Sequence, residues 1–162
     1  MKGGASVTGG ASSALTGEIR PDRRSMRLRG FDYSSDGSYF VTILTYRRRF
    51  VLKDECRAIV ERELLELPRR FDGLTIDCFV VLPDHLHALM RLTRCCASLS
   101  AIMQAYKSLT TRLLKPILSI DRLWHRGFRD RIVRSDVELL ALRDYVVDNE
   151  AIHDQRTARR RL

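Results

Sequence analysis

The sequence predicts an α+β fold in which an antiparallel sheet carries helices on one face. Three observations predict it. β-branched and aromatic runs alternate with helical patterns, and two of those runs are separated only by a Pro-Asp break. The elements also follow the order strand, helix, strand, strand, helix, strand, helix. A two-residue break joins neighbouring strands as an antiparallel hairpin, and the intervening helices then pack on the sheet.

The two ends of the chain are predicted to lie outside the domain. Residues 1–20 form a predicted disordered tail, because Gly, Ala, Ser and Thr dominate the first 17 residues and bury little apolar surface. Two interpretations stay open for the basic segment Arg20–Gly30, a solvated arm or an arm that follows phosphates. The domain itself is placed at residues 21–155, and residues 156–162 form a basic, frayed tail.

The first strand and the first helix are predicted from local composition. Tyr39–Thr45 is β-branched and aromatic and follows a Ser-Asp-Gly turn signal, which indicates a core strand. Apolar residues at helical spacing predict a helix over Asp54–Leu67. Asp54 is its predicted N-cap and Pro68 its predicted stop.

Two strands, Leu74–Leu82 and His85–Leu92, are predicted to pair around the Pro-Asp break. Side chains alternate along a strand, so His85 and His87 share one face while Leu86 points to the other. Imidazole is the commonest side-chain ligand for metals, so the pair is a candidate metal platform. For the motif taken alone, two neighbouring histidines with no shared role remain an equal alternative.

A long helix is predicted over Ser98–Lys115, ending before Pro116. Its apolar stripe indicates the face that packs on the core. The stripe comprises Leu99, Ile102, Met103, Tyr106, Leu109 and Leu113. Lys107 lies on the polar face, which is a candidate for phosphate contact.

The last third of the chain is predicted to hold a loop, a short strand and a final helix. Leu123–Val133 supplies the loop and strand, with Trp124 expected to pack rather than to stack on a base. Ser135 and Glu138 have the spacing of a capping box, so a helix is expected to start there and to run through Asn149 or beyond.

Composition indicates an anionic partner. The chain has 162 residues and a formal net charge of +9, which is typical of nucleic-acid-binding proteins, although a merely basic soluble protein has the same balance. The candidate DNA-binding residues are Arg23, Arg24, Arg47, Arg48, Lys107, Arg126 and Arg129.

Because the sequence lacks several motifs, the function classes that need them are excluded. No apolar stretch is long enough to span a membrane, no signal-peptide core is present, and no ATP-binding P-loop occurs. The four cysteines show no C-x-x-C spacing and are expected to be reduced. We therefore expect a cytoplasmic, nucleoid-associated bacterial protein.

Tyr145 and Asn149 add a second chemical signal. They are four residues apart on the predicted final helix and so share a face. A phenol can act as a nucleophile, and an amide oxygen suits a hard cation. With His85 and His87 they make a set suited to phosphodiester cleavage, since an ion bound by three such ligands keeps positions open for a phosphate oxygen.

Four stretches of the chain resemble successive motifs of one family. VVLPDHLHALM, SLSAIMQAYKS, LWHRGF and RDYVVDN look like those of the single-tyrosine HUH transposases, especially the REP-associated tyrosine transposases. HUH denotes His-hydrophobic-His, and the resemblance covers Arg23 to about Asn149. It implies the HUH fold, an antiparallel sheet with ferredoxin-like connections.

The same resemblance implies an activity and roles for individual residues. His85 and His87 match the metal ligands, Asn149 the further polar ligand, and Tyr145 the nucleophile. The implied cofactor is Mg or Mn. The implied reaction is ATP-independent nicking and rejoining of single-stranded DNA through a 5′-phosphotyrosine. The implied partner is a hairpin in repeat elements, bound by a monomer or homodimer.

One departure keeps other functions open. The family usually has proline after the asparagine, and this chain has Glu150. A decayed or domesticated copy that binds nucleic acid without catalysis is the main alternative. A metal-dependent ribonuclease with a water nucleophile is a third. Only the tyrosine mechanism predicts protein trapped covalently on DNA.

Overall fold

The computed structural model of the protein describes residues 36–159, and within them the side chains of Glu150 and of residues 152–159 are not described. The predicted tail at residues 1–20, the basic segment Arg20–Gly30 and the DNA-binding candidates Arg23 and Arg24 lie outside the described residues. The limits of the domain therefore stay predictions.

Four strands form one antiparallel sheet in the order β2-β3-β1-β4. The strands are β1 (Gly37–Leu44), β2 (Leu74–Leu82), β3 (His85–Leu92) and β4 (Arg129–Val133). The prediction of an α+β fold with an antiparallel sheet is confirmed, and the predicted bounds of β2 and β3 match the observed strands. Helices connect β1 to β2 and β3 to β4, which is the ferredoxin-like arrangement.

Within residues 36–159, four helices accompany the sheet. They are α1 (Asp54–Leu65), α2 (Leu67–Arg70), α3 (Leu99–Leu118) and α4 (Asp136–Arg159), and a short 3₁₀ turn spans Tyr46–Arg48. In the described part of the chain, no helix is both long and apolar enough to cross a membrane. All four cysteines are free thiols, as expected.

The ends of two helices differ from the prediction. Lys53 rather than Asp54 occupies the N-cap of α1, and Asp54 has a φ of 45°. Pro68 begins α2 instead of ending a longer helix, because an early helical position needs no backbone N–H. Pro116 lies inside the last turn of α3. The residues around it are exposed, so the carbonyl that loses its partner can bond water.

The main core lies between α1, α3 and one face of the sheet. Alternate residues of β1 and β3 point into it, as their period of two requires. In α3 the predicted positions Leu109 and Leu113 are only half-buried, and Thr110 and Leu114 are buried instead. Trp124 is a packing residue, as predicted, and its Nε1 donates to Thr110 Oγ1 at 2.8 Å.

α4 lies on the other face of the sheet, which corrects the expectation that all helices share one face. Val80 and Leu82 of β2 form a second small cluster with Val146 of α4. These strand residues pair with His87 and His85, so they lie on the histidine-bearing face. Because that face also carries apolar side chains, it needs a cover of its own.

The start and the end of α4 can each be compared with the prediction from the sequence. Ser135 Oγ accepts from Glu138 N at 3.2 Å, as a capping box requires, but the Glu138 carboxylate accepts from Arg134 N at 2.9 Å rather than from Ser135 N. The helix passes Asn149, as expected, and continues to Arg159. The segment predicted as a frayed tail from Arg156 therefore starts as part of α4.

Candidate active site

Two imidazoles lie next to each other at the start of β3. His85 and His87 share the face that α4 covers, and their ring centroids are 4.8 Å apart with the planes at 84°. The His85 side chain is 18% exposed and residue His87 is buried. The alternation predicted from the sequence therefore places both rings in one partly covered site.

Each imidazole is oriented through its Nδ1 atom. His85 Nδ1 lies 2.6 Å from the Asp84 carboxylate, and His87 Nδ1 lies 2.8 Å from Thr42 Oγ1. A proton on Nδ1 leaves the Nε2 lone pair for a ligand, and a hydrogen-bonded outer partner of this kind holds a metal-binding ring in place. In that tautomer each ring offers the lone pair of Nε2 to a ligand.

Asp84 and Thr42 belong to the site but were not identified from the sequence. Asp84 is buried, and its second oxygen forms an ion pair with Arg48, whose Nε lies 2.8 Å away. Its position directly before His85 was a usable signal, because metal-binding histidines commonly have a carboxylate partner. Thr42 left no signal of this kind, because only the register between β1 and β3 places it opposite His87.

The protonation of His87 favours ligand binding. Burial, followed by the nearby His85 and Arg48, lowers the pKa of His87 from 6.5 to about 4. The ring is therefore neutral at neutral pH, which is the form that binds metals.

α4 brings Tyr145 to the imidazole pair. The Tyr145 ring lies edge-on to His87 at 5.4 Å and to Phe40 at 5.9 Å, while Phe40 stacks on His87 at 5.3 Å. Tyr145 is 45% exposed, so this ring contact leaves it open to an incoming substrate. Phe40, which sequence reasoning missed, packs against both the metal-binding candidate and the nucleophile candidate.

Asn149 lies one turn after Tyr145 but is not brought into contact with the imidazoles in the described structure. Its Nδ2 donates to the Tyr145 carbonyl oxygen at 2.7 Å. Among the side chains that the structure describes, no three of His, Cys, Asp and Glu are grouped so that they could hold a metal ion. His85 and His87 thus offer two neighbouring nitrogen ligands.

Three of the candidate DNA-binding arginines lie just after β1 or at the start of β4. Arg48 is held by Asp84, and Arg47 lies over the Tyr46 ring at 5.3 Å. Arg129 is exposed and pairs with Thr42, which itself pairs with His87. Arg129 is therefore on the histidine-bearing face, roughly 10 Å from His87 across two strand spacings.

Lys107 and Arg126 lie elsewhere, at a groove between α3 and the segment 121–128. The groove has a volume of about 980 Å³. Lys107 Nζ donates to the carbonyls of His125 at 2.7 Å and Gly127 at 2.6 Å, so it holds this segment against α3. Burial lowers the pKa of Lys107 to about 8. The candidate basic residues that the structure describes thus lie at two places, beside the imidazoles and at this groove.

The donor set fits a divalent ion that tolerates nitrogen ligands. Imidazole suits Mn and other transition metals better than Mg, which prefers oxygen. The fit rests on the two oriented rings and on the buried carboxylate that orients one of them.

Comparisons with known proteins agree with this architecture. Residues 33–149 match the family model described as "Transposase IS200 like". A protein of Haemophilus influenzae with no assigned function is 22% identical over 163 residues, covering 82% of this chain and 91% of that protein.

Two solved structures share the fold. One is a REP-associated tyrosine transposase bound to a REP hairpin, with a TM-score of 0.60 and 21% identity over 72% of this chain and 68% of the other. A protein assigned as a transposase from Deinococcus radiodurans has a TM-score of 0.54 and 21% identity over 75% of this chain and 95% of the other. Because the family model spans most of the described domain, including both histidines and Tyr145, the chain belongs to the IS200-like transposases.

Proposed function

We propose that the protein nicks and rejoins single-stranded DNA through a covalent bond to Tyr145. One observation carries the proposal: the Tyr145 ring contacts His87, whose Nδ1 is engaged by Thr42 and which lies beside His85. Membership of a transposase family supports a DNA-cleaving enzyme. A nucleophile next to a candidate metal platform supports this route of cleavage.

The mechanism follows from the positions of these side chains. His85 and His87, with Asn149 as the proposed further ligand, would hold a divalent ion, Mg or Mn, which would supply Lewis-acid neutralisation of the charge on the scissile phosphate. Tyr145 Oη attacks phosphorus in line and loses its proton. The bond from phosphorus to the 3′ oxygen breaks, and that oxygen leaves as a protonated 3′-hydroxyl. The 5′ end is then a phosphotyrosine, so rejoining reverses the same exchange without ATP.

DNA binding is proposed to involve both basic surfaces. Arg129 and Arg48 would contact phosphates near the imidazole pair, and Arg126 and Lys107 would contact them at the α3 groove. Arg47, Arg23 and Arg24 complete the proposed set. The similar transposase is described as bound to a REP hairpin, and we propose a single-stranded hairpin as the substrate here.

The decisive experiment looks for the covalent product. The protein is incubated with labelled single-stranded DNA from the flanks of its own gene, with Mn, and run on a denaturing gel. We expect a protein–DNA band that is lost in Tyr145→Phe, while DNA binding changes little because only the phenolic oxygen is removed. Tyr46→Phe, which removes a phenol outside the site, is the matched control and keeps the band. Undiminished nicking by Tyr145→Phe would exclude this mechanism.

Measuring the nicking rate against metal concentration distinguishes the contributions of the proposed ligands. His85→Ala and His87→Ala should be inactive at any practical Mg or Mn, because each removes an oriented imidazole. Asn149→Ala should be impaired but partly rescued by excess Mn, since water can replace a neutral amide oxygen. Equal nicking by Asn149→Ala and wild type at limiting metal would remove Asn149 from the ligand set.

A non-catalytic nucleic-acid-binding function is the second candidate. It is favoured by Glu150 in place of the proline that the resemblance leads us to expect, and by the basic groove at α3, which needs no Tyr145. In that case the same DNA would be retained on a native gel with no covalent band on the denaturing gel.

A further inference from the structure

We propose that the ion pair between Asp77 and Arg143 positions Tyr145 over the imidazole pair. The proposal rests on the proposed role of Tyr145 as the nucleophile. Asp77 lies in β2 and Arg143 in α4, two residues before the tyrosine. The pair therefore links the helix that carries the nucleophile to the sheet that carries His85 and His87.

α4 has little apolar contact with the sheet. Among its described side chains, only Leu142 and Val146 are buried. Val146 belongs to the small cluster with Val80 and Leu82, whereas Val137 and Val147 are 79% and 62% exposed. So small a contact leaves the rotation and sliding of α4 weakly determined, because apolar packing is not directional.

A bulge in β2 provides the second attachment. The pairing of β2 with β3 shifts between Ile76 and Cys78, so Asp77 is the inserted residue. An inserted residue leaves the regular ladder, and bulges commonly redirect a side chain next to a functional site. The bulge thus explains how an acidic side chain in this strand reaches α4.

The contact between the two side chains is directional. Arg143 Nε donates to both Asp77 oxygens, at 3.2 and 3.0 Å, and a terminal nitrogen of Arg143 donates to Oδ2 at 2.8 Å. A guanidinium bound to a carboxylate through several N–H groups restricts orientation as well as distance. Val146 also attaches α4 to the sheet, and so does the ion pair of Glu138 with Arg131 of β4. Of the two ion pairs, the Asp77 contact is the nearer to Tyr145 in sequence.

Tyr145 depends on that orientation. It lies between Arg143 and Val146 in sequence, and its ring meets His87 at 5.4 Å and Phe40 at 5.9 Å. A helix turns about 100° per residue, so a modest rotation of α4 would carry the ring away from the imidazoles. Misplacement of a reacting group by about 1 Å can cost about 100-fold in rate.

The ion pair is too exposed to be explained by stability. The Arg143 side chain is 44% exposed and that of Asp77 is 25% exposed, and ion pairs at such positions add little to the free energy of unfolding. A positioning role therefore predicts a loss of nicking rate without a matching loss of stability.

The experiment compares Asp77→Asn, Arg143→Gln and the double variant with wild type. Nicking of a saturating hairpin substrate at saturating Mn should fall about 10-fold or more in each single variant, while the melting temperature stays near wild type. The nuclear Overhauser effect between ring protons of Tyr145 and His87, measured without metal, should weaken. Glu66→Gln is the matched control, because it breaks an exposed carboxylate–arginine pair with Arg69 away from α4 and should change none of these readings.

The double variant tests whether the two residues act through one contact. If they do, the double variant should be as active as the less active of the two single variants. If the two losses of nicking rate multiply in the double variant, Arg143 and Asp77 act separately, for example on DNA, and the proposal is overturned. Unchanged nicking with an unchanged ring contact in the single variants would also overturn it. If Tyr145→Phe still nicks, the proposed function fails, whereas the ring contact still reports whether the ion pair positions Tyr145.

Discussion

At the scale of single residues, the candidate site depends on what holds each imidazole. Asp84 contacts His85 with one oxygen and Arg48 with the other, and it does so from a buried position. Thr42 contacts His87 from the neighbouring strand. These two partners restrict ring orientation before any ion binds, which lowers the ordering required on binding.

The role of Asp84 can be measured through metal affinity. We expect Asp84→Asn to weaken Mn binding by about 10- to 100-fold, the range found when an outer partner of a metal-binding histidine is removed. Calorimetric titration of the metal-free protein measures the change. Asp121→Asn, at a side chain that is 96% exposed, serves as the control. Equal Mn affinity in the two variants would show that Asp84 does not orient His85 for metal.

His87 should make the metal-free protein sensitive to mild acid. Its pKa falls from 6.5 to about 4 on folding, so between these pH values the unfolded chain binds the proton more readily. Stability is therefore fully present above pH 6.5 and is lost as the pH falls towards 4. The loss is at most about 3 kcal/mol.

Urea unfolding at pH 7 and pH 5 checks this expectation. The difference in unfolding free energy between the two pH values should shrink in His87→Gln and persist in His125→Gln, which changes an exposed histidine. An identical pH dependence in wild type and His87→Gln would contradict the assignment of the acid sensitivity to His87.

At the scale of elements, β2 begins at a point where the backbone demands glycine. Gly73 has a φ of +84°, and a side chain there would collide with the Thr93 carbonyl oxygen and the Cys95 backbone. Thr93 N donates to the Gly73 carbonyl oxygen at 2.8 Å, which joins the start of β2 to the end of β3. This close approach sets where the two strands begin and end, and hence where the histidine pair falls along the sheet.

Gly73→Ala should destabilise the fold by about 2 kcal/mol or more, because the left-handed conformation and the collision act together. Gly127→Ala is the matched control. Gly127 has a φ of +75° but no atom within 4 Å of an added Cβ, so only the conformational cost applies. Denaturant unfolding measures both, and an equal loss in the two variants would mean that the close backbone approach at Gly73 contributes nothing.

At the scale of the whole molecule, charge should dominate the binding of DNA. The net charge is +9, and the described basic candidates lie on two surfaces, one beside the imidazoles and one at the α3 groove. The two surfaces adjoin, because Arg47 and the groove residue Arg122 both lie against the Tyr46 ring.

Affinity should consequently fall steeply with salt. Each phosphate contact on a single strand contributes a slope of about −0.7 to the plot of log affinity against log salt. Arg129→Gln and Arg126→Gln test one surface each, and each should reduce the slope by about one contact. Fluorescence anisotropy with a labelled hairpin gives the slopes. A flat dependence between low and moderate salt would rule out binding driven by phosphates.

Much of the fold and part of the candidate site are determined by local sequence. Periodicities and caps that involve residues a few positions apart account for several features. These are the bounds of β2 and β3, the shared face of His85 and His87, and the start of α4 directly after Ser135. The ends of α1 and α3 were not predicted correctly, because proline is tolerated in a first turn and in an exposed last turn.

The tertiary structure alone decided what surrounds the histidines. Thr42 and His87 are 45 residues apart, and Asp77 and Arg143 are 66 residues apart. Such contacts depend on strand order, on a bulge and on the face to which α4 packs. None of these leaves a periodic signal in the chain, because each results from packing between distant segments. The sequence by itself therefore determined which residues are the candidates for the chemistry, while packing between distant segments decided that Tyr145 meets His87.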